Sequence, residues 1–431
     1  MEGPILVVQN VVERCNMKRR DFLTYGTSFL GGAYLASSNV GVSYADEYSP
    51  KLTKNDKSVI FLWLGGGATH IETFNPIPYA PIERRSATGH IDTKIPTVKI
   101  GGLFKEVAKR SDKINIVRSF AHKDSNHQTA THWVVGGERN QGGTSQNYPS
   151  YGAMIAGYYG PVSQPHGLPT YIKMNKIEGD GAAWMGQKYM GYEASREGVG
   201  DLQLKMSKDR FMARKDLLDL VEKHSTIKEQ GESWREFQSQ AVTAITGKAA
   251  ETFRIEEDSK YDTFKDDQLG KDALAAIRSI QNGAKFVNIQ YGGWDMHDNI
   301  EAGIRRQVPA LDQGLAALIE DLDQRGLLDS TLVCVASEFG RTPKINANSG
   351  RDHWPKVFST LMAGGGIKGG LVYGKSDATA SEPEEHAVTV EDWASTIYNR
   401  VGIVPDKELM APGDRPIEIV DGGKVLTDII I

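Results

Sequence analysis

Several short apolar runs of the chain end in glycines that are followed at once by histidine or carboxylate residues. Such runs are typical of buried strands, and the carboxyl ends of parallel strands meet at one edge of an open α/β sheet, where sites form. Side chains far apart in the sequence could therefore converge there. The residues concerned are His70 and Glu72 after strand 59–64, Asp295 and His297 after strand 286–291, Glu338 and Arg341 after strand 331–336, and His353 in the following loop.

Two of these pairs, His70 with Glu72 and Asp295 with His297, are separated by a single residue. In an extended loop, residues i and i+2 point to the same side, so each pair could offer an imidazole nitrogen and a carboxylate oxygen to one cation. This donor set suits zinc, manganese or iron better than calcium. We therefore expect a divalent metal, zinc or manganese being the first candidates, with ligands drawn from Glu72, Asp295, His297, Glu338, His353 and His70.

The alternative for any one histidine is an ordinary hydrogen-bonding loop residue. The grouping of five of the ten histidines in strand-end loops favours a cluster, because ionisable residues concentrate at functional clefts. The strand at 114–117 is followed by Ser125 and His127, which could act as nucleophile and as general acid or base. Further candidates for these two roles are Thr129, Ser150 and His122.

Two arginines, Arg118 and Arg341, lie close to the same strand ends. A guanidinium fork binds two oxygens of a phosphate or sulfate at once. The alternative is that Arg341 forms an ion pair with a carboxylate such as Glu338 and only holds it in place. The same geometry serves both roles, so the sequence leaves them open.

Alternation of apolar strands with helical patterns predicts a doubly wound, mostly parallel α/β sheet. The clearest helical pattern, 304–325, has four leucines at helical spacing. The segment around 175–270 is richer in charge and in helix formers, which predicts a helical insertion. Cys334 lies in an apolar strand, so we expect a core residue, and the mature chain has no second cysteine with which to form a disulfide.

The pattern of the first 45 residues predicts a secretion signal that is not part of the fold. Arg19-Arg20 precede an apolar, glycine-broken run over 22–36, and Ser43-Tyr44-Ala45 fits a cleavage site. This order is that of a twin-arginine signal. We expect the twin-arginine machinery to export a mature chain of residues 46–431 to the periplasm or the medium, with no stable membrane span after cleavage. Met17 is an alternative start, which would leave residues 1–16 untranslated.

The net charge of −5 over 431 residues argues against nucleic acid as a partner.

The motifs themselves resemble a known family. The segments 64–76, 292–297, 337–343, 350–355 and 363–370 are similar, in this order, to those of the bacterial family called domain of unknown function 1501. The resemblance covers about residues 50–425.

That family is grouped with the alkaline phosphatase and sulfatase superfamily. The resemblance implies a single α/β domain of that type over 46–431, with metal ligands on strand-end loops and hydrolysis of small-molecule or polysaccharide phosphate or sulfate esters. It also implies that Glu72 is the early carboxylate ligand, Asp295 and His297 the middle pair, and His353 the final histidine. Phe339 stands where many superfamily members have a histidine. One metal site is therefore weakened, or rebuilt with His70 or His127.

Two other functions stay open at this point. The chain could be a non-catalytic secreted binding or scaffold protein on the same fold, because fold does not imply function. It could also be a transferase of phosphate or sulfate groups acting on a polysaccharide or lipid. Convergence of the proposed ligands would favour the enzyme, whereas two or more facing away would favour the binding protein. The residues to examine are Glu72, Asp295, His297, Glu338 and His353.

Overall fold

The computed structural model describes residues 57–139, 148–163, 167–194, 206–223, 241–242, 245, 249–411 and 414–431. The predicted signal region lies outside these residues. The strands are β1 (Ser58–Trp63), β2 (His90–Asp92), β3 (Lys99–Gly101), β4 (Ile114–Phe120), β5 (Tyr171–Met174), β6 (Tyr192–Glu193), β7 (Phe286–Gln290), β8 (Thr331–Ala336), β9 (Gly340–Arg341), β10 (His353–Trp354), β11 (Phe358–Gly364), β12 (Leu371–Tyr373), β13 (Lys375–Ser376), β14 (Pro383–Glu385), β15 (Glu408–Ala411) and β16 (Arg415–Glu418). The helices are α1 (Lys105–Ala108), α2 (His127–Gly136), α3 (Tyr151–Tyr159), α4 (Lys208–Lys223), α5 (Ala249–Thr252), α6 (Tyr261–Phe264), α7 (Gln268–Gln281), α8 (Ile300–Gln324) and α9 (Val390–Arg400).

Eight strands form one central sheet in the order β12-β4-β11-β8-β1-β7-β5-β6. Every neighbouring pair is parallel except the two that contain β11, which runs against β4 and β8. The predicted doubly wound, mostly parallel α/β sheet is therefore confirmed. Since β4, β8, β1 and β7 all run the same way, their carboxyl ends lie along a single edge.

Helices cover both faces of this sheet, because β1 and β8 bury side chains on alternate sides. On β1, Ile60 and Leu62 join a core with α7 and α8, whereas Val59, Phe61 and Trp63 join a second core with α2, α3 and α9. All six residues of β1 and of β8 are buried, as a central parallel strand requires. Cys334 is one of them, and its prediction as a core residue is confirmed.

The predicted helix at 304–325 is present as α8, which begins four residues earlier at Ile300. Its N-cap is Asn299, whose side chain accepts a hydrogen bond from the Ala302 backbone N–H. The described part of the predicted insertion at 175–270 contains β6 and the helices α4 to α6, with the first residues of α7. Much of that segment lies outside the described residues, so its role as an insertion stays a prediction. Among the described residues, no helix is both long and apolar enough to span a membrane.

Asp258 connects the helical layer on one face of the sheet. Its carboxylate accepts hydrogen bonds from Arg325 at 2.8 Å and from Arg278 at 3.1 Å, and its side chain is 6% exposed. Burial alone would raise the pKa of Asp258, but these hydrogen bonds outweigh it and lower the pKa to about 2. Because the folded-state pKa lies below the ordinary one, the stabilisation is complete above about pH 4 and is lost as the pH falls towards 2.

An Asp258→Asn variant is expected to be less stable by about 2 kcal/mol at pH 7, since a shift of one pKa unit corresponds to about 1.4 kcal/mol. Below pH 4 the difference from the wild type should shrink as the wild-type carboxylate becomes protonated. Urea unfolding at a series of pH values measures both effects. Parallel curves for the two proteins between pH 5 and pH 2 would contradict the prediction.

Candidate metal centre

Three histidine rings and one aspartate from three separate segments meet at the carboxyl edge of the sheet. His127 is the first residue of α2, whose N-cap Asn126 accepts hydrogen bonds from the backbone N–H groups of Gln128 and Thr129. Asp295 and His297 lie in the loop that follows β7, and His353 lies on β10. Segments more than 160 residues apart in the chain thus supply one cluster.

The facing atoms of the cluster are close together. Asp295 Oδ1 lies 3.0 Å from His297 Nε2 and 3.4 Å from His353 Nε2. Asp295 Oδ2 lies 3.5 Å from His127 Nε2. The Nε2 atoms of His297 and His353 are themselves 3.0 Å apart. The side chains of Asp295 and His297 therefore converge, as their i, i+2 spacing predicts.

Each ring nitrogen that faces away from the cluster has an acceptor of its own. His127 Nδ1 donates to Glu338 Oε1 at 2.7 Å, His297 Nδ1 donates to Asp352 Oδ1 at 2.8 Å, and His353 Nδ1 donates to the Ser125 carbonyl at 2.8 Å. A carboxylate or carbonyl can only accept, so with a cation at the cluster the proton of each neutral ring would lie on Nδ1. The three Nε2 lone pairs are then directed at Asp295, which is the usual arrangement of metal-binding histidines.

This donor set fits a divalent cation. Tetrahedral coordination with bonds of about 2.0–2.1 Å separates neighbouring ligand atoms by about 3.4 Å. One ligand atom from each of His127, Asp295 and His353 lies within 4.8 Å of the other two, and His297 Nε2 lies 3.0 Å from both Asp295 Oδ1 and His353 Nε2. The Nε2 atoms of His297 and His353, 3.0 Å apart, can share a proton in a hydrogen bond, or both can turn to a cation. His127 Nε2 is also inaccessible to solvent and accepts no hydrogen bond.

Arg341 holds Asp295 rather than Glu338. Its Nη2 donates to Asp295 Oδ1 at 2.5 Å and to the Gly66 carbonyl, Nε donates to Gly67 O at 2.8 Å, and Nη1 donates to Arg351 O at 3.0 Å. The whole side chain is buried. All three nitrogens therefore have protein acceptors, which supports the ion-pair role and not the binding of a phosphate or sulfate.

Arg341 also sets the charge state of Asp295. Burial would raise the pKa of this carboxyl, but the hydrogen bond and charge of Arg341 outweigh it and hold the pKa below its usual range. Burial, followed by the charge of Arg341, lowers the pKa of His353. Both effects favour the metal-binding forms, an ionised carboxylate and a neutral imidazole.

Glu338 lies behind His127 instead of facing the cation position. Its Oε1 accepts from His127 and, at 2.8 Å, from the Gly66 backbone N–H. Its hydrogen bond to His127 is the largest cause that raises the pKa of this histidine. Glu338 was expected to bind the metal directly. In the structure it instead fixes the orientation of the His127 ring through a hydrogen bond.

The glycine loop after β1 allows these elements to approach each other. Gly66 has φ of +115°, and a Cβ there would lie 2.6 Å from the backbone nitrogen of Asp295. Any other residue would push the β7 loop away and displace the aspartate. Phe339 fills the space beneath the rings, with its centroid 4.5 Å from that of His353 and 4.8 Å from that of His127.

Glu72 lies outside the cluster and is fully buried in a different arrangement. Its carboxylate pairs with Arg351 Nη2 at 2.8 Å and accepts from the Thr69 hydroxyl at 2.6 Å. The segment 69–74 forms turns instead of an extended loop, so the i, i+2 argument does not apply to it. The structure therefore does not support Glu72 as a metal ligand.

His70 and Arg118 are also kept apart from the cluster. His70 Nε2 hydrogen-bonds the Ala380 carbonyl at 3.0 Å, and burial lowers the pKa of this buried histidine to about 4. Arg118 donates to the carbonyls of Phe74 and Lys99. Of the two histidines proposed to replace the missing superfamily histidine, His127 therefore lies in the cluster and His70 does not.

Asp352 is a site residue that the sequence analysis overlooked. It adjoins His353 in the motif 350–355, and its pKa is lowered by the hydrogen bond to His297. A carboxylate next to a candidate ligand was the available signal, because metal-binding histidines usually donate to one. Ser125, expected as the nucleophile, is exposed and contributes its carbonyl to His353.

The family described as protein of unknown function (DUF1501) matches residues 56–430. The chain belongs to the DUF1501 family. The resemblance seen in the strand-end motifs is thereby confirmed over residues 56–430. A search of curated proteins gave no match.

Solved structures similar to this DUF1501 protein include a phosphonate monoester hydrolase of Agrobacterium radiobacter, at 11% identity and a TM-score of 0.40, with 87% of this chain and 77% of that one covered. A second is the PsFucS1 sulfatase from Pseudoalteromonas sp., at 12% identity and a TM-score of 0.38, with 84% and 69% covered. A third is the lipoteichoic acid synthase LtaP from Listeria monocytogenes, at 10% identity and a TM-score of 0.35, with 88% and 79% covered.

Proposed function

We propose that this DUF1501 protein is an exported, metal-dependent hydrolase of phosphate or sulfate esters. The observation that carries the proposal is the convergence of three imidazole Nε2 atoms on Asp295, each ring being fixed from behind by its own acceptor. Zinc or manganese fits these donors, and a bound cation of this kind would polarise an ester oxygen and lower the pKa of a water or hydroxyl.

The division of work among the protein groups follows from their contacts. Asp295, His297 and His353 would hold the cation, with Arg341 keeping the aspartate ionised and in place. His127 Nε2 lies 3.5 Å from the other carboxylate oxygen of Asp295, Oδ2. It would either act as the fourth ligand of the cation or transfer a proton to or from the substrate. Asp295 and His297 are 48% and 45% exposed, so a substrate can reach them.

Glu72 and Glu338 face away from the cluster, which by the convergence criterion supports a binding protein on the same fold as the second candidate. The exposure of Asp295 and His297, with His127 beside them, favours the hydrolase.

Ser125 is the proposed nucleophile. Its carbonyl accepts from His353, so the residue adjoins the centre, and its side chain belongs to an exposed loop. A Ser125→Ala variant keeps the carbonyl contact and removes only the hydroxyl. An unchanged metal content with a rate that falls at least tenfold supports this role, whereas an unchanged rate assigns attack to a water molecule.

Metal analysis and an ester panel test the function itself. We expect mature chain 46–431, purified from the periplasm, to contain about one zinc or manganese ion per molecule by elemental mass spectrometry. After metal loading it should hydrolyse at least one of three esters, which are p-nitrophenyl phosphate, p-nitrophenyl phenylphosphonate and p-nitrophenyl sulfate. A chelator should abolish this activity. Absence of both bound transition metal and hydrolysis would overturn the proposal.

Export is proposed from the signal pattern alone. Replacing Arg19 and Arg20 with lysine in the full chain is expected to leave the protein in the cytoplasm, because the paired arginines are the part of the signal that the export route recognises. Fractionation of the cells measures this. Equal periplasmic amounts of the two proteins would show that the pair does not act as a signal.

A further inference from the structure

A groove of about 780 Å³ lies between the loop 75–80 and the segment 371–378, which contains the edge strand β12. We call it the Arg118 groove, after the arginine that lines it. The aromatic residues Tyr79 and Tyr373 line it as well, together with His386. No ligand candidate of the metal centre contributes to this lining, so the groove is a separate feature of the surface.

Among the residues that the structure describes, Arg118 is a cation without a counter-ion. Its Nε donates to the Phe74 carbonyl at 2.8 Å and its Nη2 to the Lys99 carbonyl at 2.6 Å. These contacts leave Nη1 and one N–H of Nη2 for a ligand, which is the end of the fork that binds two anionic oxygens. Within the described part of the chain, no carboxylate lies at ion-pair distance from Arg118. Burial lowers its pKa to about 10, and no neighbouring negative charge counteracts the shift.

The carboxylates at the groove have other partners or stand apart. Asp377 accepts hydrogen bonds from Thr379 and from the Ser381 backbone N–H. Glu385 pairs with Lys375 at 3.4 Å. Asp428 also lines the groove without reaching Arg118. A partly buried guanidinium that is left uncompensated is unfavourable, so an external anion would bind here with a favourable free energy.

The walls add flat aromatic surface beside this charge. Tyr79 is 91% exposed, so the face of its ring is open to a ligand. Tyr373 packs against His386 with ring centroids 5.4 Å apart. A ligand that suits both features has a ring with an apolar face, hydroxyl groups that hydrogen-bond polar neighbours, and an anionic substituent.

We propose that the Arg118 groove is a binding site for an acidic saccharide, with its sulfate or carboxylate on Arg118 and a sugar ring stacked on Tyr79. The geometry of the groove carries this assignment independently of the proposed hydrolase function. The site would hold a charged glycan on the protein surface whether or not the metal centre acts on it.

Titration calorimetry on the metal-loaded mature chain tests the proposal with three probes. They are chondroitin 4-sulfate tetrasaccharide, unsulfated chondroitin tetrasaccharide, which keeps only its carboxylates, and the uncharged tetramer of N-acetylglucosamine. We expect at least one of the charged probes to bind at least about tenfold more tightly than the uncharged one. The stronger of the two charged probes identifies sulfate or carboxylate as the preferred anion. Equal affinity for all three, or no binding, would overturn the proposal.

Variants locate the binding. Tyr79→Ala should weaken it about tenfold, as expected for an aromatic contact, and the exposure of this side chain makes misfolding no concern. Arg118→Gln should remove the preference for charged probes. Arg305→Met, at an exposed arginine on α8, and Asp295→Asn, at the metal centre, should bind like the wild type. Loss of binding in Asp295→Asn, or wild-type binding in Tyr79→Ala, would place the saccharide elsewhere and refute the assignment.

Discussion

An Asp295→Asn variant is expected to lose bound metal and, with it, ester hydrolysis. Asp295 is the residue on which all three Nε2 atoms converge, so its replacement removes a charge and a ligand together. Groups that only orient a ligand change metal affinity by about 10–100-fold, and a direct ligand should exceed that range. Competition with a chromophoric chelator measures the affinity, and elemental analysis measures the occupancy.

Two further aspartates make this a graded series. Asp352→Asn keeps every ligand and weakens only the acceptor behind His297, so we expect an affinity loss of about 10–100-fold. Asp298→Asn changes an exposed residue of the same loop and should leave affinity and activity unchanged. An Asp295→Asn protein that melts like the wild type and retains one tightly bound ion would show that the cluster is not a metal centre.

A Glu72→Gln variant is expected to be strongly destabilised while it keeps its metal. The Glu72–Arg351 pair is completely buried, and removing one partner of such a pair costs about 3–5 kcal/mol because the other charge is left uncompensated. Arg351 also donates to three backbone carbonyls, of Arg85, Thr342 and Pro343, so it cannot move to solvent without breaking them. Chemical unfolding at pH 7 measures the loss.

The metal content of this variant, taken at a temperature where it is folded, separates a structural Glu72 from a ligand. Occupancy equal to that of the wild type is expected, and a selective loss of metal from a stable protein would restore Glu72 to the ligand set. Glu301→Gln removes one partner of an exposed ion pair, with Arg305 at 2.7 Å. Its stability should change by less than about 1 kcal/mol.

The sheet was predictable because its strands are continuous apolar runs, and β1, β7, β8 and β11 lie where those runs occur. The direction of β11 was not predictable, since a strand that is apolar on both faces has the same pattern whichever way it runs. Helix α7 was not anticipated either, although Asp267 caps it and its buried face packs against α8. Its location just after a charge-rich segment obscured it.

For the site, the sequence indicated which loops meet but not how each backbone turns. The side chains of Asp295 and His297 converge, as their spacing alone suggests. The loop of His70 and Glu72 winds into turns, held by a hydrogen bond from the Thr73 hydroxyl to the Thr69 carbonyl. Both side chains consequently point into the interior. Only tertiary contacts distinguish the two cases.

The long spacing between the segments that meet at Asp295 bears on the order of events during folding. Closing chain stretches of this length is entropically unfavourable until strand pairing and core packing compensate for it. The β9–β10 ribbon, which aligns Arg341 with His353, can reach the β7 loop only after β8 has paired with β1. Capture of the proposed cation is consequently expected to be a late event, and an ion held by all of these side chains would report a chain that has completed its fold.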